Sequence, residues 1–283
     1  MGIFSDVLLT VDYDRTLTAT DSTIPERNLQ AIRYFMENGG TFTVNTGRSI
    51  PMSESALIPN VPVNAPLLLY NGSAAYDVKT GKLTRHAPIA IDGNQLIRDL
   101  IDRFPMLNIE VQALHAHCLV RSNPKWEAYC ENNGCNWDYI TDTPQPFLKL
   151  AINGEFRKAT VADMYNATDE ELALFDRAIS YIEKTYGDRV DLFRPCARIV
   201  DVHAKGVSKL SSARQLQQEL GKKILVCVGD AENDITMLDG ADYAFCPADG
   251  IVADRYENVC SCAEGAVADV IYEKIPVILQ TKP

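Results

Sequence analysis

Apolar and polar positions along the first third of the chain follow a pattern that predicts strands separated by helices. Residues 7–11, 41–45 and 67–70 are short apolar runs of the kind that forms buried parallel strands. A helix is predicted to begin at Pro25 and to end at Gly39, because its apolar residues share one face: Leu29, Ile32, Phe35 and Met36. Residues 74–85 predict a hairpin. Strands separated by helices indicate a doubly wound, parallel α/β sheet.

The middle of the chain has a different pattern, and the last third returns to the first one. The predicted elements of the middle are helices over 92–104, 125–133 and 168–186 and strands over 109–114, 117–120, 147–152, 189–193 and 197–202. A helix over 207–220, a strand over 224–228 and a final helix over 264–274 follow. We therefore predict a core of residues 1–85 and 201–283, interrupted by an inserted α+β cap of residues 86–200.

Composition narrows the class of protein and of partner. Of 283 residues, 46% are hydrophobic and 23% charged, which is typical of a globular protein of about two domains. The formal net charge is −11 and no basic stripe is present, so a nucleic-acid partner is not expected. No apolar run has the length of a membrane span and no secretory signal is visible, so we expect no membrane partner and a cytoplasmic location with reduced cysteines.

Four groups of polar residues stand at the ends of predicted elements, where open α/β sheets bind their ligands. They are Asp12 with Asp14, Thr46 with Gly47 and Arg48, Lys209, and Asp230 with Asp234. Taken one at a time, such residues are usually caps, turns or solvated side chains. Two carboxylates one residue apart repel each other unless a cation or a proton lies between them. The acidic groups therefore predict a metal-binding and catalytic site.

The order of these groups resembles the four motifs of the haloacid dehalogenase superfamily phosphatases, and in particular the Cof-type hydrolases with a large cap. The motif Asp-x-Asp-x-Thr matches residues 12–16, Thr-Gly-Arg matches 46–48, Gly-Val-Ser-Lys matches 206–209, and Gly-Asp-x-x-Asn-Asp matches 229–234. An Asn-Gly pair after the third core strand also matches, at Asn71. The resemblance covers nearly the whole chain, although the cap is matched in length and position only.

The resemblance implies a haloacid dehalogenase-like core and hydrolysis of a small phosphorylated metabolite, such as a sugar phosphate. Asp12 would attack phosphorus and form an aspartyl-phosphate. Asp14 would protonate the leaving oxygen and then deprotonate water. Mg²⁺ would be the cofactor, held by the Asp12 carboxylate, the Asp14 main-chain carbonyl and the Asp230 carboxylate.

The remaining motif residues would bind the phosphate or support the site. The resemblance implies that Thr46, Gly47 and Lys209 hold the phosphoryl oxygens. The supporting residues are Asn233, Asp234, Arg48 and Asn71.

Two positions depart from the family pattern. Arg15 stands where the family usually has glycine, and a surface arginine is favoured over one that reaches an anionic part of the substrate. Lys205 competes with Lys209 for the third motif, and the Gly-Val-Ser-Lys context favours Lys209.

Three further interpretations stay open. His115 and His117 could bind a metal together, but the sequence offers no evident third ligand, so surface or structural histidines are favoured. A phosphomutase on the same scaffold would need the cap to retain and reorient a bisphosphate. A non-catalytic sugar-phosphate-binding regulator is disfavoured, because no catalytic residue of the motifs is lost.

Overall fold

The first apolar run of the sequence forms a strand with parallel neighbours on both sides. This strand, β1 (Val7–Val11), is buried along its whole length. Val11 pairs with Val44 on one side and with Val228 on the other. Because parallel strands in this register end at the same edge, the residues that follow the three strands meet there.

The computed structural model describes residues 2–114, 116–132, 137–139, 146–154 and 166–281, with backbone alone for 137–139. After β1, the described strands are β2 (Thr41–Val44), β3 (Leu67–Leu69), β4 (Ala74–Asp77), β5 (Lys82–His86), β6 (Asn108–Ala113), β7 (His117–Arg121), β8 (Trp137–Tyr139), β9 (Phe147–Asn153), β10 (Val190–Cys196), β11 (Ile199–Ala204), β12 (Ile224–Val228), β13 (Tyr243–Pro247) and β14 (Glu257–Val259). The described α-helices are α1 (Glu26–Glu37), α2 (Ile50–Ala56), α3 (Gly93–Arg103), α4 (Pro124–Asn132), α5 (Asp169–Tyr186), α6 (Lys209–Glu219), α7 (Ile235–Asp239), α8 (Ala266–Asp269) and α9 (Ile275–Thr281).

Two compact units divide the chain between them. The first consists of Met1–Gly47, Asn60–Arg85 and Ser208–Pro283, and the second of Arg48–Pro59 and His86–Val207. The domain bounds taken from the sequence pattern stay a prediction. The second unit differs from the predicted cap in including Arg48–Pro59 and in extending to Val207.

The first unit is built on a parallel sheet with the strand order β14, β13, β12, β1, β2. A parallel bridge between Asn45 and Leu68 leads from β2 to β3, which begins a smaller sheet in the order β3, β4, β5. Helix α1 begins directly after Pro25, and its buried residues are Asn28, Ala31, Ile32 and Phe35. It ends before Gly39, whose φ of 89° is a conformation that glycine adopts without strain.

In the second unit, the described strands form a sheet in the order β10, β11, β9, β6, β7, β8. All neighbours are antiparallel except β7 and β8. One face of this sheet packs against α3 and α5 in an apolar cluster that includes Ile109, Val111, Leu150 and Val202. The capping box of Thr168 and Glu171 fixes the start of α5.

The other face of the same sheet carries buried polar side chains, because residues along a strand alternate between faces. They are Asn108, Glu110, Gln112, His117, Lys149, Asn153, Asp201 and His203. Lys149 Nζ lies 3.4 Å from Asp201 Oδ2, so these two buried charges are paired. Burial, together with the charge of Lys149, lowers the pKa of His203 well below its ordinary value, so His203 is neutral.

Most of the predicted elements are present, and the α/β fold class is confirmed. The sequence pattern missed α2, β8, β13, β14 and the short α7. The final helix is also different from the prediction, because α8 and α9 are joined by a π-helical turn, Val270–Lys274. His115 lies outside the described residues. No helix among the described residues is long and apolar enough to cross a membrane.

Candidate functional site

Asp12 is the first residue after β1, at the edge where the parallel strands end. Its backbone N–H donates to Val228 O at 2.9 Å, so the sheet itself fixes its position. Only 7% of the residue is exposed. The chain then turns over Tyr13–Leu17, and this turn contains the half-buried Asp14. The turn brings both acids of the first motif to the same edge of the sheet.

Lys209 is the first residue of α6, whose N-cap is Ser208. Its Nζ donates to Asp12 Oδ1 at 2.6 Å and to Asp234 Oδ1 at 2.7 Å. The side chain is fully buried. Burial lowers the pKa of the Lys209 ammonium, but the carboxylates of Asp12 and Asp234 outweigh burial and leave the pKa raised. Lys209 is therefore a buried cation held by two anions.

Asp234 uses both carboxylate oxygens within the site. While Oδ1 accepts from Lys209, Oδ2 accepts from the backbone N–H groups of Asp230 at 3.0 Å and Ala231 at 3.1 Å. Gly229 permits this close approach, because a Cβ at this position would lie 2.5 Å from Asp234 Cγ. Asp234 thus fixes the loop after β12 and the lysine at the same time.

One of the two carboxylate oxygens of Asp230 accepts a hydrogen bond from the first motif. Thr16 Oγ1 donates to Asp230 Oδ1 at 3.2 Å. Among the described residues, Asp230 Oδ2 is buried and accepts no hydrogen bond, although Arg15 Nε lies 3.7 Å away. An ionised oxygen that is buried and short of donors is costly, and a cation would satisfy it.

The charges of the site favour a bound cation. Burial raises the pKa of Asp12 to about 7 although Lys209 lowers it, and the carboxylates of Asp234 and Asp14 add to the rise. Burial and the charges of Asp12 and Asp234 likewise raise the pKa of Asp230 well above its ordinary value. A divalent cation would offset this repulsion.

The geometry also fits such an ion. Carboxylate oxygens of Asp12, Asp230 and Asp234 lie within 4.8 Å of one another. Oxygen ligands around Mg²⁺ are separated by about 3 Å when adjacent and about 4.2 Å when opposite, given octahedral Mg–O distances of about 2.1 Å. The hard oxygen donors and their spacing are therefore suited to magnesium.

The second motif and the Asn-Gly pair lie beside each other in the first unit. Thr46 N–H donates to Leu68 O at 2.9 Å, and Asn71 N–H donates to Thr46 O at 2.9 Å. A Cβ at Gly47 would lie 2.9 Å from Asn71 Oδ1, so glycine is needed where these loops meet. Thr46 and Asn71 are both buried. These two hydrogen bonds hold the backbone at Thr46 against the end of β3.

The other predicted site residues are placed as follows. Asn233 is partly exposed in the short turn Glu232–Asp234, next to the buried Asp234. Arg48 is buried and is the first residue of the second unit. Lys205, the competitor for the third motif, donates to Asp191 Oδ1 at 2.7 Å within the second unit, whereas Lys209 contacts Asp12.

Sequence reasoning assigned no role to Thr16 or Asn45 and favoured a surface position for Arg15, yet all three contact the site. Thr16 is the last residue of the first motif and donates to Asp230, so its position in the motif could have indicated a role in the site. Asn45 Nδ2 donates to Lys209 O at 2.8 Å and so supports the start of α6. Arg15, expected at the surface, has φ 61° and a side chain that is 26% exposed and reaches Asp230.

Comparison with known sequences identifies the family. The family described as haloacid dehalogenase-like hydrolase matches residues 9–262. An uncharacterized hydrolase of Schizosaccharomyces pombe is 24% identical over 297 residues, which cover 93% of this chain and 89% of that protein. YxeH of Bacillus subtilis, named as a phosphatase, is 23% identical over 253 residues, which cover 86% of this chain and 88% of that protein.

Solved structures share the fold. A haloacid dehalogenase-like hydrolase from B. subtilis has a TM-score of 0.77 at 17% identity, and the match covers 95% of this chain and 99% of that chain. BT4131, a sugar phosphatase of haloacid dehalogenase subclass IIB, has a TM-score of 0.71 at 14% identity, covering 93% and 97%.

The parallel α/β sheet has buried carboxylates at its strand ends and a buried lysine at the start of a neighbouring helix, which is where α/β enzymes bind their ligands. This chain belongs to the haloacid dehalogenase-like hydrolases. The resemblance to the Cof-type members of this superfamily, inferred from the four motifs, is confirmed.

Proposed function

We propose that this protein is a magnesium-dependent phosphatase of a small phosphorylated metabolite, such as a sugar phosphate, and that it works through an aspartyl-phosphate. The observation that carries the proposal is the buried Asp12 carboxylate, which accepts a 2.6 Å hydrogen bond from Lys209 and has an oxygen within 4.8 Å of one of Asp230. A phosphate monoester is a dianion, and its transfer depends on charge neutralisation and in-line positioning. Lys209 and a bound cation would supply the neutralisation, and Asp12 would attack in line.

Two half-reactions use the acids of the first motif. An oxygen of Asp12 bonds to phosphorus while the bond from phosphorus to the alcohol oxygen breaks, and the Asp14 carboxyl gives its proton to that oxygen. In the second step, the Asp14 carboxylate takes a proton from water, and the water oxygen bonds to phosphorus. The bond to Asp12 then breaks, which releases inorganic phosphate and restores both acids.

The carboxylates of Asp12 and Asp230 and the main-chain carbonyl of Asp14 would hold Mg²⁺, with Asn233 and Asp234 in support. Once bound, the ion would neutralise charge on the phosphoryl oxygens. Asp234 is better suited to support than to ligation, because both its oxygens already accept hydrogen bonds.

Lys209, the Thr46 hydroxyl and the Gly47 loop would bind the phosphoryl oxygens, with Arg48 and Asn71 in support. An ammonium group has three N–H donors, and the bonds to Asp12 and Asp234 use two of those of Lys209. The third is the donor we assign to the phosphoryl group. The same cation would then neutralise substrate charge and hold the nucleophile.

The family and two relatives support the class of substrate that we propose. YxeH is named as a phosphatase and BT4131 as a sugar phosphatase, which supports a phosphorylated metabolite as substrate. Residues 86–200 would act as the cap and supply binding energy remote from the phosphoryl group. We infer a cytoplasmic location, in which the cysteines would be reduced.

The experiment is a panel of phosphorylated metabolites assayed for inorganic phosphate, with and without Mg²⁺. We expect magnesium-dependent release for at least one sugar phosphate, and a loss of at least about 10³-fold in Asp12→Asn with the fold intact. Asp254→Asn is the control, because Asp254 is an exposed acid of the same unit. Near-normal turnover by Asp12→Asn would refute the assigned nucleophile. Accumulation of an isomer in place of free phosphate would establish a mutase.

A further inference from the structure

A second group of potential metal ligands lies in the second unit and has no part in the proposed phosphatase chemistry. Glu110 on β6, His117 on β7 and Cys130 on α4 are all buried, and their ligand atoms lie within 4.8 Å of one another. His117 Nε2 is 3.1 Å from Glu110 Oε1 and 3.9 Å from Cys130 Sγ. The imidazole nitrogen therefore points at a carboxylate and a thiol together.

These distances are close to those that a tetrahedral zinc ion imposes. Zinc binds imidazole nitrogen and carboxylate oxygen at about 2.0–2.1 Å and thiolate sulfur at about 2.3 Å. Two nitrogen or oxygen ligands would then be separated by about 3.3 Å, and nitrogen and sulfur by about 3.5 Å. The observed separations of 3.1 and 3.9 Å differ from these by only a few tenths of an ångström. Small side-chain shifts would complete the geometry.

The surroundings hold the carboxylate in place. Trp126 Nε1 donates to Glu110 Oε2 at 2.9 Å, and Gln112 Nε2 donates to Glu110 Oε1. Such bonds from neighbouring side chains orient the ligands of metal sites. These two bonds hold the Glu110 carboxylate in a fixed orientation beside His117 and Cys130.

An ion pair between Glu110 and His117 does not account for the whole cluster. Among the described residues, His117 Nδ1 is buried and has no hydrogen-bond partner, and the His117 side chain is only 1% exposed. Cys130 comes from a different element, and α4 buries only Trp126 and Cys130. A shared ion would bind this helix to the sheet at the position of Cys130.

We propose that Glu110, His117 and Cys130 form a zinc site in the second unit. The donor set of carboxylate, imidazole and thiolate excludes magnesium, which prefers oxygen ligands alone, and suits zinc. On binding, the Cys130 thiol proton and the His117 Nε2 proton that faces Glu110 both leave to solvent, and His117 keeps a proton at Nδ1. The thiolate sulfur and the Nε2 lone pair are then free to bind the metal. A water molecule would take the fourth position.

The test uses the full-length protein in excess Mg²⁺, so that the carboxylates of the first unit are occupied. Zinc is added, unbound metal is removed by gel filtration, and bound zinc is measured by atomic emission. A parallel titration with Co²⁺ monitors the near-ultraviolet charge-transfer absorption that only a thiolate ligand produces. We expect one tightly bound zinc per chain and a thiolate–cobalt band in the wild type. A wild-type protein that retains no zinc and shows no thiolate band would overturn the proposal.

Variants separate a zinc site from an ion pair. Cys130→Ser and His117→Gln are expected to lose the bound zinc, and Cys130→Ser to lose the cobalt band. Cys118→Ala is the matched control, because Cys118 neighbours His117 in sequence but packs in the apolar cluster on the opposite face. Circular dichroism checks that each variant is folded.

A further variant serves if Cys130→Ser does not fold. Glu110→Gln is expected to bind zinc at least about tenfold more weakly and to keep the thiolate band. Equal zinc retention by Cys130→Ser and the wild type would also refute the assignment.

The zinc site stands apart from the proposed phosphatase activity. Asp12→Asn is expected to lose turnover and to keep the zinc, whereas Cys130→Ser loses the zinc whatever the activity. A failure of either proposal is therefore visible without the other.

Discussion

Lys209 Nζ lies 2.6 Å from Asp12 Oδ1, and this fully buried contact joins the first and third motifs across 197 residues of sequence. The same nitrogen lies 2.7 Å from Asp234 Oδ1, in the fourth motif. One ammonium group therefore compensates two buried carboxylates that would otherwise repel each other. The electrostatics of the site depend on this lysine before any ion or substrate binds.

Replacing Lys209 by methionine is expected to destabilise the protein as well as abolish turnover. The substitution leaves Asp12 and Asp234 buried without their cation, so we expect the free energy of unfolding to fall by about 3 kcal/mol in metal-free buffer. The loss should be smaller in Mg²⁺, because the metal ion would offset part of the repulsion. Urea unfolding with and without Mg²⁺ measures both values.

Lys223→Met is the control for this experiment. The Lys223 side chain is 73% exposed and pairs with Asp6, and surface pairs contribute little to stability. A similar loss of stability in both variants would contradict the role assigned to Lys209.

Magnesium affinity is expected to depend on pH through Asp12. Burial, with the neighbouring Asp234 and Asp14, raises the pKa of Asp12 from 3.8 to about 7 in spite of Lys209. Between these values the folded, metal-free protein binds a proton that the unfolded chain does not, so its stability falls as pH rises through this window. Because Mg²⁺ competes with that proton, its apparent dissociation constant should rise as pH falls below about 7.

Isothermal titration of Mg²⁺ at several pH values from about 8 to about 6 measures this dependence. The metal-free stability measured in the same buffers should change in the opposite direction, with greater stability at lower pH. An affinity that is constant over this range would show that Asp12 is already ionised and that the assigned coupling is wrong.

The strand-end residues could be predicted from the sequence because a parallel sheet aligns the ends of its strands. Asp12 directly follows its apolar run, and Thr46 and Asp230 each stand one residue beyond the end of a strand, so that placement alone brings them to one edge. Lys209 follows from the capped start of α6 and its motif. The remaining contacts depend on three-dimensional distances between side chains and backbone, which the spacing of residues in the sequence does not determine. The two hydrogen bonds of Asp234 Oδ2 to backbone N–H groups are an example.

The missed elements have physical reasons of their own. Helix α2 contains Pro51 and two serines, which suggest a turn, although the Ser49 side chain accepts from Met52 N–H and is a recognisable N-cap signal. Strand β13 ends in Pro247, and β14 has only three residues, so neither has the length or composition that marks a strand. These two strands form because β13 pairs with β12 and β14 pairs with β13 in the sheet.

Replacing Thr16 by valine is expected to weaken magnesium binding without unfolding the protein. The Thr16 hydroxyl donates to Asp230 Oδ1 at 3.2 Å and so orients the carboxylate. Loss of such an orienting bond typically weakens metal affinity by about tenfold or more and costs about 1 kcal/mol of stability. Magnesium titration and urea unfolding check the two effects. Thr16→Ser keeps the hydroxyl and should keep the affinity, so equal weakening in Thr16→Ser and Thr16→Val would contradict the orienting role.

Arg15 combines a strained backbone with a charge beside Asp230, and two substitutions separate these effects. Its φ is 61°, a left-handed conformation that costs a non-glycine residue about 1 kcal/mol or more, and its Nε lies 3.7 Å from Asp230 Oδ2. Arg15→Gly and Arg15→Ala both remove the charge, but only glycine relieves the strain. We therefore expect Arg15→Gly to be about 1 kcal/mol more stable than Arg15→Ala in urea unfolding.

Both Arg15 variants are expected to bind Mg²⁺ more tightly than the wild type, by roughly fivefold, because a cation no longer competes for the Asp230 carboxylate. Magnesium titration at low salt measures this gain, and added salt should reduce it, because part of the Arg15 side chain is exposed. Steady-state kinetics distinguish the other role that the sequence left open for this residue. If KM for the substrate rises in both variants while magnesium affinity is unchanged, Arg15 binds an anionic part of the substrate and does not compete with the metal.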